Sequence, residues 1–233
     1  SECKQKVLNR IESLLVNNDP VTSSMRYSAL ADSKCIRAGL VFASGKLEGQ
    51  LDEVGLTDIA TSLELMHTYS LIHDDLPAMD DDDMRRGQPS NHVKFNEATA
   101  ILAGDALQAL AFETIASSKG ITDAHKVEAV RMLAAACGHQ GMVLGQQYDL
   151  DAEKNELLDI ELIHSLKTAK LMQVALTMPY LGNEMYKKTQ VLLSNLGGKI
   201  GLAFQIMDDV LEVSSDSVTL GKSNLSDLAN KKM

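Results

Sequence analysis

The sequence predicts an all-α protein built as a single helical bundle over residues 1–233, and three observations carry that reading. Strand signals are nearly absent: aromatic residues are 4% of the chain, there is no Trp, and no apolar/polar alternation is bounded by hairpin turns. Apolar residues recur instead at helical spacing. The four prolines (Pro20, Pro77, Pro89 and Pro179) punctuate the helical stretches rather than populate them. In chain order, Ile59, Leu63, Met66, Leu71 and Ile72 predict a strongly apolar helix over 58–75. Ala-, Leu- and Met-rich helices are expected at about 98–117, 125–145, 156–181 and 187–213. Many are apolar on most of their circumference, which predicts burial on several sides, with the eleven Met residues as core fillers. No linker rich in Gly, Ser or Pro divides them, so one all-helical domain is expected.

Composition narrows the function. Apolar residues at 45% and charged residues at 23% are ordinary for a globular protein of 233 residues, which needs no metal or disulfide staple. The longest apolar runs read as too short to cross a bilayer, and no basic stretch precedes an apolar block at the start. Cys3, Cys35 and Cys137 are odd in number and far apart, against both a disulfide framework and a cysteine metal cluster. A cytoplasmic protein without membrane insertion is expected. A net charge of -10 disfavours nucleic acid as a partner.

Six of the ten residues from Asp74 to Asp83 are aspartate. Such a run alone is more often a solvated face, so its company decides. On the helix before it, His67, Ser70 and Asp74 follow i, i+3, i+7 spacing and line one face. A polar stripe on so apolar a helix points to a cavity. Asp74 and Asp80 are about 120° out of phase on an ideal helix, but Pro77 breaks the turn between them. An irregular turn that brings both carboxylates towards a common point is therefore expected.

A second ridge, Gln205, Asp208, Asp209 and Glu212, is spaced i, i+3, i+4, i+7 among Leu202, Phe204, Ile206, Val210 and Leu211. Two such charges about 4 Å apart repel by about 4 kcal/mol at an effective dielectric of 20. A buried acidic ridge calls for a cation, and no Lys or Arg lies within a turn. Oxygen-only ligands select Mg²⁺ or a similar hard ion, Mn²⁺ included, over zinc. Magnesium completes its shell with water and substrate phosphates, so phosphate-binding cations should accompany it. Candidates are Arg85 and Arg86 beside the first ridge, Lys167 with Thr168, Lys222, and the i, i+3 pair Lys34 and Arg37. Each alone is a commonplace surface residue; their joint occurrence with two carboxylate ridges makes the case. The run lacks the alternating Asp-x-Asp-x-Asp-Gly loop of an EF-hand calcium site.

The strings HTYSLIHDDLPAMDDDDMRRG (67–87), HVKFNEATAILAGDAL and GLAFQIMDDVLEV resemble the two aspartate-rich motifs of short-chain trans-prenyl diphosphate synthases. DDLPAMD carries the two-residue insertion of the bacterial farnesyl diphosphate synthases in that family. MRYSAL…SKCIRAG, GMVLGQQYDLDAE, HSLKTAKL and TLGKSNLSDL follow as further family landmarks in order. The resemblance covers essentially the whole chain, short of the family's C-terminal helices. It implies a bundle around a deep central cavity, a homodimer, and a transferase that joins isopentenyl diphosphate to dimethylallyl or geranyl diphosphate. The product implied is farnesyl diphosphate; geranylgeranyl or geranyl products, or a catalytically silent binding subunit, are the alternatives.

By position, the family assigns three Mg²⁺ ions to Asp74, Asp75, Asp80 and Asp208, with Asp209 and Glu212 nearby. Arg85, Lys167, Lys222, Thr168 and Gln205 are implied for the allylic diphosphate. Lys34, Arg37, His67 and Arg86 are implied for isopentenyl diphosphate, and Lys232 matches a further basic position. Tyr69, five residues before the first aspartate, is implied as the floor that limits product length. Three departures stand out: Asp32-Ser33-Lys34-Cys35-Ile36-Arg37-Ala38 replaces Gly-Gly-Lys-Arg-x-Arg-Pro, Glu212 stands where Asp is usual, and Ala169 follows Lys167-Thr168 in place of Gly.

Overall fold

The structure, a computed structural model, describes residues 2–152, 159–183 and 186–214. It is 76% helical with almost no sheet. Helices α1 (Glu2–Leu14), α2 (Pro20–Ala29) and α3 (Ile36–Glu48) lead to the long α4 (Glu53–Asp74). A two-stranded hairpin, β1 (Met84–Arg85) and β2 (Gln88–Pro89), follows with the short α5 (Asn91–Lys94). Then come α6 (Glu97–Ala116), α7 (Asp123–Cys137), α8 (Met142–Ala152), α9 (Ile160–His164), α10 (Lys170–Thr177) and α11 (Tyr186–Ser214).

Helix α4 is the axis of the bundle and packs against α6, α3, α1 and α2. Ile59, Leu63, Leu65 and Met66 are all fully buried, so nearly every side of α4 meets another helix. The predicted start at 58 falls inside the helix, because the Asp52 carboxylate accepts the Gly55 N–H (2.8 Å) and caps α4 five residues earlier. Asp19 and Asn96 cap α2 and α6 in the same way. On the outside of the axis, Asp58 is 2% exposed and accepts a bond from Arg10 Nε at 2.8 Å, which ties α1 to α4.

Four expectations are corrected. The single helix expected over 125–145 is two, because the Gly138–Gly141 turn ends α7 at Cys137 and α8 starts afresh at Met142. The helix expected over 156–181 is interrupted by a π-turn at Ser165–Ala169 and closes in a 3₁₀ turn at Met178–Tyr180. The small hairpin escaped the strand search because two-residue strands have no periodicity to detect. Finally, α6 is, by length and composition alone, apolar enough to span a bilayer. Its Ala100, Ala103, Leu107, Ala111 and Ile115 are fully buried, so it serves as a core helix. Cys3, Cys35 and Cys137 are free thiols.

Helix α11 lies close along α10 and the π-turn through Gly197 and Gly201, an i, i+4 pair. A Cβ on Gly201 would come 2.5 Å from Ala169 Cα, and one on Gly197 would come 2.7 Å from Gln173 Cα. These opposing atoms are backbone, which cannot swing aside. Gly201→Ala is therefore expected to destabilise the protein by about 1–3 kcal/mol. Chemical denaturation would measure it, and an unchanged midpoint would contradict this close approach.

Candidate active site

A cavity of about 1140 Å³ opens among α3, α4, the hairpin, α8, the π-turn and α11. It is large enough for two small ligands. Lys34, Arg37, His67, Tyr69, Asp74, Asp80, Arg85, Arg86, Lys167, Thr168, Gln205 and Asp208 all line it. Residues as far apart in the chain as Lys34 and Asp208 thus face one space.

The first acidic ridge is formed where α4 runs out. The Asp75 N–H still bonds the Leu71 carbonyl, but Pro77 cannot continue the ladder. The chain folds back until the Asp80 N–H donates to the Asp74 carbonyl at 2.9 Å, so the two aspartates meet as the proline predicts. Asp74 is 9% exposed. Burial raises its carboxyl to about 6; Lys167 partly opposes this, and Asp80 and Asp75 reinforce it. Asp80 Oδ1 is buried and has no hydrogen-bond partner among the described residues.

Asp75 takes another role in this geometry. Arg85 grips it through Nε, 2.9 Å from Oδ1, and through Nη2, which also reaches Asp82 Oδ2 at 3.3 Å. Both carboxylates are buried, and Asp75 serves as the counter-ion that fixes Arg85 at the cavity wall. Burial works against the Arg85 charge, but these aspartates more than offset it and raise its pKa.

The facing wall is built on the π-turn. Gly145 on α8 sits so close to Lys167 N that any side chain there would collide with backbone. That turn presents Lys167 and Thr168 to the cavity; π-turns of this kind recur at functional sites. Lys167 Nζ bonds Asp149 Oδ2 at 2.7 Å and lies 3.9 Å from Asp74 Oδ2. Burial pushes against its charge, yet Asp74 and Asp149 raise its pKa on balance. Thr168 Oγ1 donates to Gln205 Oε1 at 2.8 Å, which links the π-turn to α11 one turn before Asp208. Asp209 and Glu212 lie on α11, but their side chains are outside the described residues, as are Lys222 and Lys232 entirely.

The basic end gathers around the start of α3 and the hairpin. Arg37 is 7% exposed, and its Nε has no partner among the described residues. Lys34 is exposed at the rim. The hairpin loop places Arg86 at φ 54° and Gly87 at φ 76°, the backbone of a type I′ turn. That left-handed conformation directs the Arg86 side chain to the cavity. Burial, then Arg37, Arg86 and Arg85, push the His67 imidazole well below its ordinary range, so it is neutral at pH 7.

Three residues of the site were missed in sequence: Glu64 and Gln146 line the cavity, and Asp149 holds Lys167. Glu64, 6% exposed, accepts the Ala38 N–H at 3.0 Å and caps α3, where Cys35 supplies no side-chain cap. Its i−3 spacing from His67 on the polar stripe was the available signal. Asp149 and Gln146 sat inside the landmark GMVLGQQYDLDAE without a distinguishing pattern.

Among the described residues, no three His, Cys, Asp or Glu groups form a complete metal cage. Magnesium does not need one: one or two carboxylates with substrate phosphates suffice. The orphaned Asp80 oxygen, the buried Asp74 beside it and the oxygen-only donor set fit that ion.

The Asp74 carboxyl also predicts a pH dependence. Its folded pKa of about 6 lies above the ordinary 3.8, so the folded state holds the proton more tightly. Its stabilising contribution is fully present below about pH 4 and is lost as pH rises through 6. The shift corresponds to about 3 kcal/mol. With EDTA present, Asp74→Asn should raise the Tm at pH 7 by roughly 5 °C or more, and by much less at pH 4. A lower Tm at pH 7 would contradict the strain assigned to this carboxylate.

The chain matches the polyprenyl synthetase family over residues 18–233. It is 44% identical to the farnesyl diphosphate synthase of Escherichia coli, covering 95% of this chain and 75% of that one. The structure aligns with a geranyltransferase from Legionella pneumophila at TM-score 0.86 and 38% identity, covering 91% and 78% of the two chains. A Helicobacter pylori geranyltransferase solved with magnesium and isoprenyl diphosphate aligns at TM-score 0.80 and 34% identity, covering 94% and 77%. This chain belongs to the polyprenyl synthetase family, the prenyl-transferring enzymes of isoprenoid chain elongation.

Proposed function

We propose that the enzyme joins isopentenyl diphosphate to dimethylallyl and geranyl diphosphate, head to tail, to give farnesyl diphosphate. The observation that supports this reading is the convergence of Asp74, Asp80 and Asp208 with two sets of cations on one cavity. Asp74, Asp80 and Asp208 would hold magnesium, with Asp209 and Glu212 beside them on the sequence of α11; three ions are proposed. When bound, the metal supplies Lewis-acid charge to the departing pyrophosphate.

The chain's own groups do the rest. Lys167, Arg85, Thr168 and Gln205 hold the allylic diphosphate, and Lys222 joins them from outside the described residues. Lys167 and Arg85 keep their charge despite burial, because aspartates hold them in place before substrate arrives. The allylic C–O bond breaks with its electron pair leaving on pyrophosphate. Arg37, Arg86, Lys34 and the neutral His67 hold isopentenyl diphosphate so that its double bond reaches the allylic C1. A new C–C bond forms, and a proton passes from the condensed product to the released pyrophosphate. The apolar wall keeps water from capturing the cation as an alcohol.

Tyr69 lines the cavity at 9% exposure, stacks edge-on against His73 (ring centroids 5.1 Å apart), and supports the reading of a floor for the growing chain. A homodimer is proposed, supported by the exposed Ile101 and Leu102 on the outer face of α6.

Product chromatography with Mg²⁺, isopentenyl diphosphate and an allylic primer tests this reading directly. Farnesyl diphosphate is expected from the wild type, and Asp74→Ala and Asp208→Ala should each lower kcat by at least about 100-fold. Near-normal rates in both variants would remove the metal assignment. Tyr69→Ala should shift the product from C15 towards C20, and an unchanged product profile would discard the floor.

A further inference from the structure

Helix α1 packs on the far side of α3 and α4, yet it sends one side chain into the cavity wall. Lys4, Val7 and Ile11 follow i, i+3, i+7 spacing, and Val7 and Ile11 are buried. Lys4 therefore stands on the core-facing stripe of α1, where an apolar residue is the ordinary choice. Its stem runs inward with the side chain only 27% exposed, and it lines the cavity.

The ammonium emerges at the basic end. Lys4 Nζ donates to Asp32 Oδ1 at 2.6 Å. Asp32, Ser33, Lys34 and Cys35 form the irregular segment before α3, and all four line the cavity. The bond to Asp32 raises the Lys4 pKa, while Arg86 is close enough to lower it. Lys4, and more weakly Arg86, hold the Asp32 carboxyl below its ordinary range. Burial raises the Cys35 thiol, and Lys4 and Arg86 are near enough to oppose the rise. Beside the position where the family carries an arginine, a different helix thus supplies a lysine.

The two partners of this ion pair are unequal. The Asp32 side chain is 93% exposed, so it turns to water at little cost, and exposed ion pairs contribute little to stability. Lys4 is anchored by its stem and cannot follow. A diphosphate carries more negative charge than one carboxylate and offers several acceptor oxygens, so exchange favours it. Glu64, the other acid among these cations, is 6% exposed and bonded to the Ala38 N–H, which keeps it in place.

Taking the prenyl-transfer reading as given, we infer that Lys4 is a binding residue for isopentenyl diphosphate, and that Asp32 is a stand-in anion which the diphosphate displaces from it. Arg37, Arg86 and Lys34 approach that diphosphate from the start of α3 and the hairpin, and Lys4 approaches it from α1. Asp32 keeps the ammonium at the cavity before the ligand arrives, and it competes with the ligand for the same donor. The allylic cations are held differently, Lys167 by Asp149 and Arg85 by Asp75.

Steady-state kinetics with Mg²⁺, varying each substrate at saturating levels of the other, tests this. Lys4→Met keeps the apolar stem and should raise KM for isopentenyl diphosphate about 5-fold or more. It should leave kcat and KM for geranyl diphosphate within about twofold. Lys4→Arg, which keeps the charge, should stay within about twofold of wild type in all three. Asp32→Asn should act in the opposite direction and lower KM for isopentenyl diphosphate about twofold or more. Most of that gain should vanish in the Lys4→Met background, where there is no ammonium to release. A pair that only ties α1 to the segment before α3 gives the same sign in both single variants, or no change in KM, and either result would overturn the inference. Asp32→Asn leaves the α1 stripe intact and so carries the test if the lysine variants fold poorly. A wild-type protein that consumes no isopentenyl diphosphate with any allylic primer would overturn the prenyl-transfer reading itself.

Discussion

The repulsion between carboxylates held out of water at the end of α4 is the constraint on which the rest of the site depends. A helix that simply continued past Asp74 would point Asp80 elsewhere. Pro77 stops it, and the Asp80 N–H returns to the Asp74 carbonyl, so the backbone itself enforces the crowding. Asp74 then sits buried with its pKa pushed up to about 6, and Asp80 keeps a buried oxygen without a partner among the described residues. The protein holds this arrangement because the surrounding cations are fixed by other acids. Asp75 and Asp82 hold Arg85, and Asp149 holds Lys167. These second carboxylates keep the bases spread around the cavity instead of letting them collapse onto Asp74 and Asp80.

The two ends of the cavity meet different demands with the same economy of parts. At the isopentenyl end, Glu64 caps α3 while its charge lies among Arg37 and Arg86, whose pKa values it raises against the effect of burial. One buried carboxylate thus orders a helix terminus and compensates two guanidinium groups. The replacement of the family's arginine by Cys35 leaves that end with one cation fewer, and Cys35 itself adopts φ 46°. At the allylic end, the π-turn at Ser165–Ala169 interrupts regular helix just where Lys167 and Thr168 must face inward. The close seat of Gly145 against it ties α8 to the same wall.

Much of this was legible in the sequence, and the reasons are local. Ile59, Leu63 and Met66 announce α4 because three-and-four spacing is a property of one helix read alone. The meeting of Asp74 and Asp80 was legible from Pro77, whose effect on a helix does not depend on its surroundings. The cavity-lining cations were legible only as a set, because each alone is a commonplace surface residue and only two carboxylate ridges with a phosphate to hold call for all of them. What stayed hidden was set by distant partners. Glu64 bonds an amide 26 residues away, and Lys167 meets Asp149 across 18 residues and a change of helix. The break between α7 and α8 was hidden because apolar residues continue through it in helical register. Arg86 in a left-handed turn was hidden because a hairpin of two-residue strands leaves no periodic signal of which residue its turn will aim.

The central claim is that the acidic ridges and the basic groups form one binding unit, complete only when a divalent cation and a pyrophosphoryl group enter together. Calorimetric titration of pyrophosphate into the purified protein, with Mg²⁺ and then with EDTA, tests it most directly. The account predicts that Mg²⁺ tightens pyrophosphate binding by about 100-fold or more, with proton release near pH 6 as Asp74 ionises. Pyrophosphate binding of equal strength in EDTA, with no protons released, would contradict it.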